Sequence, residues 1–388
     1  MNILYILRHN PWGIGGGCYA SRCFLDAFTT AFADAHFDVC LCAEYLNNNV
    51  NRSDYPNVAF VKVEERGIGE KLLSPLSGLL HRFHRTAKKM LKTGKYDYCI
   101  FDHNSIAGPL VDTCRTMDVK TVVINHNCEQ KYYRDNHRNW LHRLFLLPHV
   151  RRAERKSYWG CGYNIFLTSE DKTLFRSLYG ESQTQTIVSG CFEPKGSVAR
   201  EYAKERRSDE PLKLVISGTI GNVQNLDGIN YFMDNLIEMI PADAEVVITG
   251  KNPPKELSGR IKEQNEGGRH AKITLIPNPQ DIMSVVANCD IFLCPTRLGG
   301  GIKLRVMDGL RAGLPVIAHR VSARGYSAFA EKGMLYAYDD KEGFRRCIDN
   351  CISRRQKDSH LREVIADTAQ KQFSFERNME LLKQYIDA

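Results

Sequence analysis

The segment of this sequence with the most evident chemistry is a run of three glycines that follows an apolar stretch, IFLCP. Gly299, Gly300 and Gly301 lead into Lys303 and Arg305 in the sequence TRLGGGIKLRVMDGL. We expect the glycines to open a helix, so that free backbone N–H groups, the positive end of the helix dipole and two cations surround an anion such as a diphosphate. The alternative is a tight connection from strand to helix, with both cations in solvent.

A carboxylate accompanies this loop. Asp308 lies farther along the predicted helix, on the side that positions 300 and 304 also face. Its oxygens could accept hydrogen bonds from the hydroxyls of a ribose. Together with the glycine loop, this carboxylate predicts a site for a nucleotide diphosphate.

A second glycine-rich segment, GIGGG at 13–17, also follows an apolar run and leads into a helical pattern. It matches the dinucleotide pattern GxGxxA from Gly15 to Ala20, and Glu44 could bind a ribose. These features favour an alternative interpretation, an NAD-dependent sugar-nucleotide oxidoreductase or epimerase. The dinucleotide pattern requires a turn directly after the strand, whereas residues 8–12 intervene here.

Short runs rich in β-branched residues alternate with helical patterns along the whole chain, which is typical of parallel βαβ units. Strands are predicted at 3–7, 38–42, 58–63, 98–101, 121–124, 165–168, 213–217, 245–248, 273–276, 291–294 and 316–318. Helices are predicted at 19–33, 79–91, 106–113, 137–157, 172–178, 227–239, 280–287, 304–312, 343–353, 360–372 and 375–386. The fold class is therefore α/β, with doubly wound parallel sheets.

A polar stretch divides this alternation into two halves. We predict a first Rossmann-like domain over 1–190, a linker over 191–211 and a second Rossmann-like domain over 212–374. No strand follows the amphipathic segment at 375–388, so we expect it to pack on the first domain. In such sheets a ligand binds at the carboxyl ends of the strands, here in the gap between the domains.

The composition is that of an ordinary globular protein, with 43% hydrophobic and 25% charged residues, and it excludes disordered and collagen-like chains. Thirteen cysteines lie at irregular spacing without a CxxC pair, which favours free thiols in a reducing compartment and no metal site. No apolar run reaches the ~18–20 residues of a membrane-spanning helix, and the first residues resemble a strand more than a signal peptide. We therefore expect a cytoplasmic protein.

The formal net charge is +8, and most of the surplus lies in the first 190 residues, with 24 Lys and Arg against 18 Asp and Glu. Two amphipathic segments, 79–95 and 138–156, carry half of these cations. Such segments bind anionic membrane surfaces, although a surface helix with an apolar inner face has the same pattern. Nucleic acid is not expected as a partner, because no binding motif is present.

The second half resembles a known family. Residues 212–326 are similar to the C-terminal domain of glycosyltransferase family 4, the retaining enzymes of the GT-B fold that use nucleotide-sugar donors. The similarity rests on LVISGTIGNVQNLDGINYF, AEVVITGKNPP and the long segment ITLIPNPQDIMSVVANCDIFLCPTRLGGGIKLRVMDGLRAGLPVIAHRVSARGY, in the order of the family. The first half matches more loosely, through GIGGG, INHNCE and NIFLTSEDKTLFRSLYG. The resemblance implies two Rossmann-like domains that face a central cleft.

The resemblance also implies a donor site in the second domain. Asp308 corresponds to the second acid of the family, which binds the ribose, whereas the position of the first acid is occupied by Gly300. The Arg and Lys of the family correspond to Thr219 and Asn225. We infer that Lys303 and Arg305 supply the missing positive charge. The implied donor-binding residues of this domain are Gly218, Thr219, Asn225, Gly299, Gly300, Gly301, Ile302 and Asp308.

In the first domain, Gly16 and Gly17 correspond to glycines that approach the donor phosphates, and His126 corresponds to the histidine beside the transferred sugar. His103 is a second candidate at the end of a strand, and Asn127 and Glu129 are expected on the acceptor side with it. The alternative for His126 is a histidine that only satisfies neighbouring backbone groups.

The activity implied is retaining transfer of a sugar, most commonly from a UDP-sugar, to a saccharide or lipid-linked saccharide in surface polysaccharide or glycoconjugate biosynthesis. His126, Lys303 and Arg305 are the expected catalytic residues. Neither a metal nor a cofactor is expected, since the nucleotide-sugar is a co-substrate. An anionic membrane surface is the further partner that the basic segments suggest.

Overall fold

The computed structural model describes residues 1–13, 15–42, 46, 50–63, 81–136, 140–197, 210–268 and 270–387. The chain divides into two compact units. The N-terminal unit comprises Met1–Ser197 and Phe373–Ala388, and the C-terminal unit comprises Val198–Gln372.

The N-terminal unit contains a parallel sheet of seven strands in the order β3-β2-β1-β4-β5-β6-β7. Its strands are β1 (Asn2–Leu7), β2 (His36–Cys42), β3 (Val58–Val63), β4 (Tyr98–Asp102), β5 (Lys120–Asn125), β6 (Tyr163–Phe166) and β7 (Gln185–Val188). Its helices up to residue 197 are α1 (Gly16–Ala31), α2 (His81–Thr93), α3 (Asn104–Thr116), α4 (Glu129–Asn136), α5 (Trp140–Gly160) and α6 (Ser169–Tyr179), with a 3-10 turn at Arg52–Asp54.

The C-terminal unit contains a parallel sheet of six strands in the order β10-β9-β8-β11-β12-β13. Its strands are β8 (Lys213–Thr219), β9 (Glu245–Lys251), β10 (Lys272–Pro277), β11 (Ile291–Cys294), β12 (Val316–His319) and β13 (Leu335–Tyr338). Its helices are α7 (Val223–Asn235), α8 (Lys255–Glu266), α9 (Ile282–Ala287), α10 (Leu304–Arg311), α11 (Ser327–Glu331), α12 (Lys341–Lys357) and α13 (Leu361–Phe373), with a 3-10 turn at Ile237–Met239.

The central strands are buried on both faces, which explains their continuous apolar sequences. In β1, the side chains from Leu4 to Leu7 have no exposed surface, and every residue of β11 is buried. Helices cover both faces of such a sheet, so alternation between apolar and polar residues is lost. The structure confirms the predicted α/β class with two doubly wound parallel sheets.

The last helix, α14 (Phe375–Asp387), packs against α1 of the N-terminal unit. The Tyr385 hydroxyl accepts a hydrogen bond from the backbone N–H of Asn164 at 3.2 Å, and the Tyr163 and Tyr385 rings meet edge to face. The chain therefore completes its N-terminal unit with the segment that the sequence expected to pack there.

Several elements were absent from the sequence prediction. Strands β7 and β13 are short edge strands that are only partly buried, so their apolar signal is weak. Helix α8 buries only Leu257 and Ile261, and α11 has five residues. The helix predicted at 137–157 is wrong in its bounds, because α4 and α5 are separate elements and 137–139 lie outside the described residues.

No disulfide joins any of the thirteen cysteines, all of which the structure describes. None of the helices in the described part of the chain has the length and apolar character that crossing a membrane requires.

Helix α10 lies unusually close to strand β11, and this contact gives a test of the packing. A Cβ atom added to Gly309 would lie 2.6 Å from Cγ of the fully buried Phe292. We predict that Gly309→Ala lowers the free energy of unfolding by about 1–3 kcal/mol, because the ring has no space to move. Urea unfolding followed by circular dichroism measures the change.

The matched control is Gly259→Ala in α8, since a Cβ there meets nothing within 4 Å. This substitution should instead raise the stability by roughly 0.5–1 kcal/mol, through the lower backbone entropy of alanine in a helix. Equal effects of the two substitutions would contradict the close packing of α10 on β11.

Candidate active site

Three histidines lie together at the carboxyl edge of the N-terminal sheet. His9 follows β1, His103 follows β4 and His126 follows β5, and these strands are neighbours in the sheet. The ring centroids of His103 and His126 are 5.9 Å apart, and that of His9 lies 5.5 Å from His103 and 6.0 Å from His126. Because the carboxyl ends of parallel strands meet at one edge, the topology alone brings these rings together.

His126 is oriented by a buried carboxylate. Its Nε2 lies 2.5 Å from Oδ1 of Asp102, the last residue of β4, whose side chain has no exposed surface. Burial alone would raise the pKa of Asp102, but the charge and hydrogen bond of His126 lower it below its ordinary value overall. Asp102 therefore stays ionised and accepts the Nε2–H hydrogen bond.

The other ring nitrogen of His126 has a different environment. Within the part of the chain that the structure describes, Nδ1 is buried and has no hydrogen-bond partner. In the tautomer that directs the Nε2 proton to Asp102, Nδ1 carries the lone pair. His126 thus presents one nitrogen that can accept a hydrogen bond from, or exchange a proton with, a bound molecule.

His103 uses both of its ring nitrogens in contacts within the protein. Nδ1 lies 3.1 Å from the Arg8 guanidinium, and Nε2 lies 3.0 Å from Oε1 of Glu129. An arginine only donates, so Nδ1 accepts and Nε2 carries the proton that Glu129 binds. Burial is the main cause that lowers the pKa of His103, so the ring is neutral at pH 7. His126, rather than His103, is the ring with an available nitrogen.

Glu129 remains ionised in this surrounding. Burial would raise the pKa of its carboxyl, but His103, and then Arg8 at 3.8 Å, lower it to about 2. The backbone of His103 has a φ of +150°, an unusual value for a residue with a side chain. Such strain is found where the surrounding structure fixes a residue for function.

Glu154 lies on α5 and binds the start of α4 and the start of α3 through hydrogen bonds. Its Oε1 accepts hydrogen bonds from the Glu129 backbone N–H at 2.7 Å and from Asn104 Nδ2 at 3.2 Å, and its Oε2 accepts one from the Tyr179 hydroxyl at 2.6 Å. Asn104 also donates to the backbone carbonyl of Asn127 at 3.4 Å. Burial raises the pKa of Glu154 to about 7. This carboxyl joins α3, α4, α5 and α6.

Sequence analysis missed Asp102 and Glu154. Asp102 directly precedes His103 at the end of a predicted strand, and this position could have identified it as a candidate site residue. Glu154 lies within a basic run, RRAERKS, where nothing distinguishes it from a solvent-exposed residue. Only its position on the inner face of α5, with no exposed surface, shows its role.

The first glycine loop packs against this cluster. Gly15 precedes α1 with a φ of +131°, Gly16 is the first residue of α1, and a Cβ on Gly17 would lie 3.3 Å from the His9 ring. Gly15 and Gly17 thus have conformational and packing reasons to be glycines. Ile14 and Glu44, the acid of the dinucleotide interpretation, lie outside the described residues.

In the C-terminal unit, the second glycine loop differs from the prediction. Helix α10 begins at Leu304 after Lys303, so the glycines precede the helix and do not open it. The φ values of Gly299 and Gly301 are +90° and +66°, which are incompatible with a right-handed helix. A Cβ on Gly299 would lie 2.5 Å from the Gln224 side chain, so the loop closes over the start of α7.

The two cations of this segment have different surroundings. Lys303 is buried, and its Nζ donates to the backbone carbonyl of Gly300 at 3.1 Å and to Oε1 of Gln224 at 3.3 Å. Arg305 donates to the Thr296 hydroxyl at 3.2 Å. The alternative interpretation, with both cations in solvent, is therefore wrong for Lys303, which folds back over the loop.

Arg305 borders a small recess of mixed polar and apolar lining at the end of β8. The φ of Gly218 is +141°, which favours a glycine, and a Cβ there would be in ordinary contact with the guanidinium carbon at 3.4 Å. Asn225 Nδ2 donates to the backbone carbonyl of Thr219 at 2.7 Å. The residues that line the recess include Ser217, Gly218, Asn225, Pro295, Thr296 and Arg305.

The structure thus brings several predicted donor residues together around this recess. Gly218, Thr219, Asn225 and Arg305 meet there through the contacts above, and Gly299, Gly300 and Lys303 are joined to one another across Gln224. Ile302 and Asp308 are half-buried, and Asp308 lies in the second turn of α10. The Arg305 guanidinium beside the Gly218 backbone can bind an anion such as a phosphate.

Comparison with known protein families gives a match to the part of the chain that contains these residues. Residues 213–354 match the model of the family described as glycosyl transferases group 1. No sequence of a curated protein matches the chain. The family match covers most of the C-terminal unit.

Solved structures resemble the whole chain. Sucrose-phosphate synthase from Thermosynechococcus elongatus has a TM-score of 0.72 at 15% identity, over 100% of this chain and 98% of that one. The Anabaena protein Alr3699/HepE, in complex with UDP, has a TM-score of 0.66 at 14% identity, over 100% of both chains. WaaG, a glycosyltransferase involved in lipopolysaccharide biosynthesis, has a TM-score of 0.60 at 14% identity, over 98% of this chain and 99% of that one.

These structures share the GT-B fold, so the predicted fold class is confirmed. The family match and the fold together support a glycosyltransferase of the GT-B class.

The histidine cluster gives a prediction for stability against pH. Burial, and then the nearby His103 and His126, lower the pKa of His9 from 6.5 to about 3. At a pH between about 3 and 6.5, His9 is protonated in the unfolded chain but not in the folded protein. The free energy of unfolding therefore falls as the pH drops below 6.5. We predict that His9→Gln makes this fall shallower, by on the order of 1 kcal/mol between pH 7 and pH 5.

Urea unfolding of both proteins at pH 8, 7, 6 and 5 measures this effect as the difference between them, because the titration of other groups, such as the buried Glu154, is common to both. Between pH 8 and pH 7 the two proteins should differ by a constant amount, which serves as the internal control. Parallel curves down to pH 5 would show that His9 is not held neutral in the folded protein.

Proposed function

We propose that this protein is a retaining glycosyltransferase, similar to family 4, that transfers a sugar from a nucleotide-sugar to a saccharide or lipid-linked saccharide acceptor. The observation that carries the proposal is the Arg305 guanidinium beside Gly218 and Thr296, which lies within the residues matched by the glycosyl transferases group 1 model. A UDP-sugar is the proposed donor, and similarity to a structure in complex with UDP supports it. We place the reaction in the cytoplasm, in surface polysaccharide or glycoconjugate biosynthesis.

The C-terminal unit binds the donor in this proposal. Arg305 and the backbone of Gly218 contact the diphosphate, and Asp308 accepts hydrogen bonds from the ribose. Lys303 holds the Gly299–Gly301 turn through the Gly300 carbonyl and adds positive charge beside it. Charges fixed in advance around a leaving group are often the largest catalytic contribution, because they need no reorganisation when the charge develops.

The chemical step requires no protein nucleophile. The bond between the sugar anomeric carbon and the diphosphate oxygen breaks, and its electron pair stays on the diphosphate, next to Arg305 and Lys303. The acceptor hydroxyl attacks the oxocarbenium-like carbon from the same face, and its proton passes to the departing phosphate oxygen. The configuration at the anomeric carbon is therefore retained.

The N-terminal unit contributes groups for the sugar and the acceptor. His126 binds a hydroxyl of the transferred sugar through Nδ1, and Asp102 fixes the ring for this contact. His103, Asn127 and Glu129 form the acceptor side, with Glu129 ionised as a hydrogen-bond acceptor. Gly16 and Gly17 allow the backbone before α1 to approach phosphate oxygens. Neither a metal nor a cofactor takes part in this scheme.

A screen of donors tests the proposal directly. Thermal unfolding is followed with UDP-, GDP- and ADP-sugars and with NAD, each in EDTA. A ligand present at about 100 times its Kd stabilises the folded protein by about 2.7 kcal/mol, so a nucleotide-sugar should raise the melting temperature measurably. Stabilisation by NAD alone would support an oxidoreductase and contradict the proposal.

The two cations give a sharper prediction. Lys303→Ala and Arg305→Ala should each lower the turnover number by about 10²–10³, because each removes charge that stabilises the leaving diphosphate. The double variant should also bind the donor more weakly. Rates of donor hydrolysis or transfer in EDTA measure the first effect, and the thermal shift measures the second.

Arg297→Ala is the matched control. Arg297 lies in the same segment, but its guanidinium donates to Asp227 at 2.9 Å and stacks on Tyr231. This variant should keep its turnover within about threefold of the original protein, as expected for an exposed ion pair. Unchanged donor affinity in the double variant, or activity that EDTA abolishes and Mg²⁺ restores, would contradict the scheme.

A further inference from the structure

The two basic helices of the N-terminal unit, α2 and α5, differ in whether apolar side chains are exposed on the face that carries the cations. In α2, the apolar side chains point into the core, where Phe83 is 4% exposed and Ala87 and Leu91 are fully buried. Its outer face carries Arg82, Arg85, Lys88, Lys89 and Lys92, all exposed. Helix α2 is thus an ordinary surface helix with a solvated basic face.

Helix α5 differs, because large apolar side chains share its outer face with the cations. Leu144 is 59% exposed, Phe145 50% and Trp159 45%. Arg151, Arg152 and Arg155 are exposed as well. At 3.6 residues per turn, positions 144, 145, 148, 151, 152, 155 and 159 fall within about 120° of one another around the helix axis.

The inner face of α5 explains why these side chains cannot turn inward. Val150, Glu154, Ser157 and Tyr158 occupy it, all of them buried. Glu154 is fixed there by its hydrogen bonds to Glu129 and Tyr179, which set the rotation of the helix. The exposed apolar face is therefore a fixed property of the folded protein.

A broad groove runs along this face. Its walls include Arg115 on α3 and Arg134 on α4, together with Leu147 and Pro148 on α5, and its volume is about 1290 Å³. Asp112 is the carboxylate among its lining residues, and it pairs with Lys156. Six lining residues are cations, namely Arg115, Arg134, Arg151, Arg152, Arg155 and Lys156.

We propose that the outer face of α5, and not that of α2, docks on an anionic phospholipid bilayer. Leu144, Phe145 and Trp159 enter the boundary between headgroups and acyl chains, and Arg151, Arg152 and Arg155 contact the lipid phosphates. Apolar and aromatic side chains interspersed with arginines suit a surface that is apolar below and anionic above. A nucleic acid would use the arginines but would leave the apolar side chains in water. This proposal does not depend on the proposed reaction.

The test is flotation of the full chain with vesicles of phosphatidylcholine alone and of phosphatidylcholine with 30% phosphatidylglycerol, at about 0.1 M salt. We expect binding to the anionic vesicles only. The charge variant is Arg151→Gln with Arg152→Gln and Arg155→Gln, and the apolar variant is Leu144→Ser with Phe145→Ser. All five positions are exposed, and circular dichroism and thermal unfolding verify that both variants fold.

The charge variant should bind about 100-fold more weakly, since each cation near the surface contributes about 1 kcal/mol. The apolar variant should lose at least about tenfold. The matched control, Lys88→Gln with Lys89→Gln and Lys92→Gln on α2, removes the same charge and should bind within about threefold of the original protein.

Three outcomes would overturn the proposal. One is equal loss of binding in the α2 and α5 charge variants, which would show attraction by net charge alone. Another is an apolar variant that binds as well as the original protein. The third is a DNA duplex of 20 base pairs that binds more tightly than the anionic vesicles and is lost only with the arginines.

Discussion

Three carboxylates without access to water determine how the N-terminal unit is built. Asp102, Glu129 and Glu154 are at most 3% exposed, and a buried charge is tolerated only where other groups bind it. Asp102 joins β4 to His126 after β5, Glu129 joins α4 to His103 and Arg8, and Glu154 joins α5 to α3, α4 and α6. Removal of any one partner would leave a buried carboxyl oxygen without that hydrogen bond. The histidine cluster is therefore fixed by the same bonds that hold the helices to the sheet.

The two glycine-rich loops require glycine for different physical reasons. In the first, Gly17 leaves room for the His9 ring, so its small size is required by a neighbouring side chain. In the second, Gly299 and Gly301 adopt positive φ values, so their lack of a Cβ is required by the backbone itself. The second loop lies across Gln224 at the start of α7, and the buried Lys303 bonds to both. A lysine in that position contributes to the shape of the loop as well as to its charge.

Much of the fold was predictable because buried parallel strands have continuous apolar sequences. Strands β3 and β11 begin and end at the predicted residues, and β1 differs by one residue. The edge strands β7 and β13 were missed, since partly exposed strands need few apolar residues. His103 was predicted from its position after a strand and His126 from the family resemblance, whereas the contacts that orient both rings join distant segments. Glu154 accepts its hydrogen bonds from residues 25 and 50 positions away, and no local pattern specifies such a contact.

The return of the chain to its first unit has a consequence for synthesis on the ribosome. Helix α14 packs on α1, and Tyr385 bonds to Asn164 across 221 positions of sequence. Domains of most proteins fold one after another, starting from the N-terminus, as the chain emerges. Here the C-terminal unit, up to residue 372, is already synthesised before the segment that completes the N-terminal unit appears. The surface of α1 that α14 covers therefore stays uncovered until residues 375–387 have emerged, and chaperones have that interval in which to bind it.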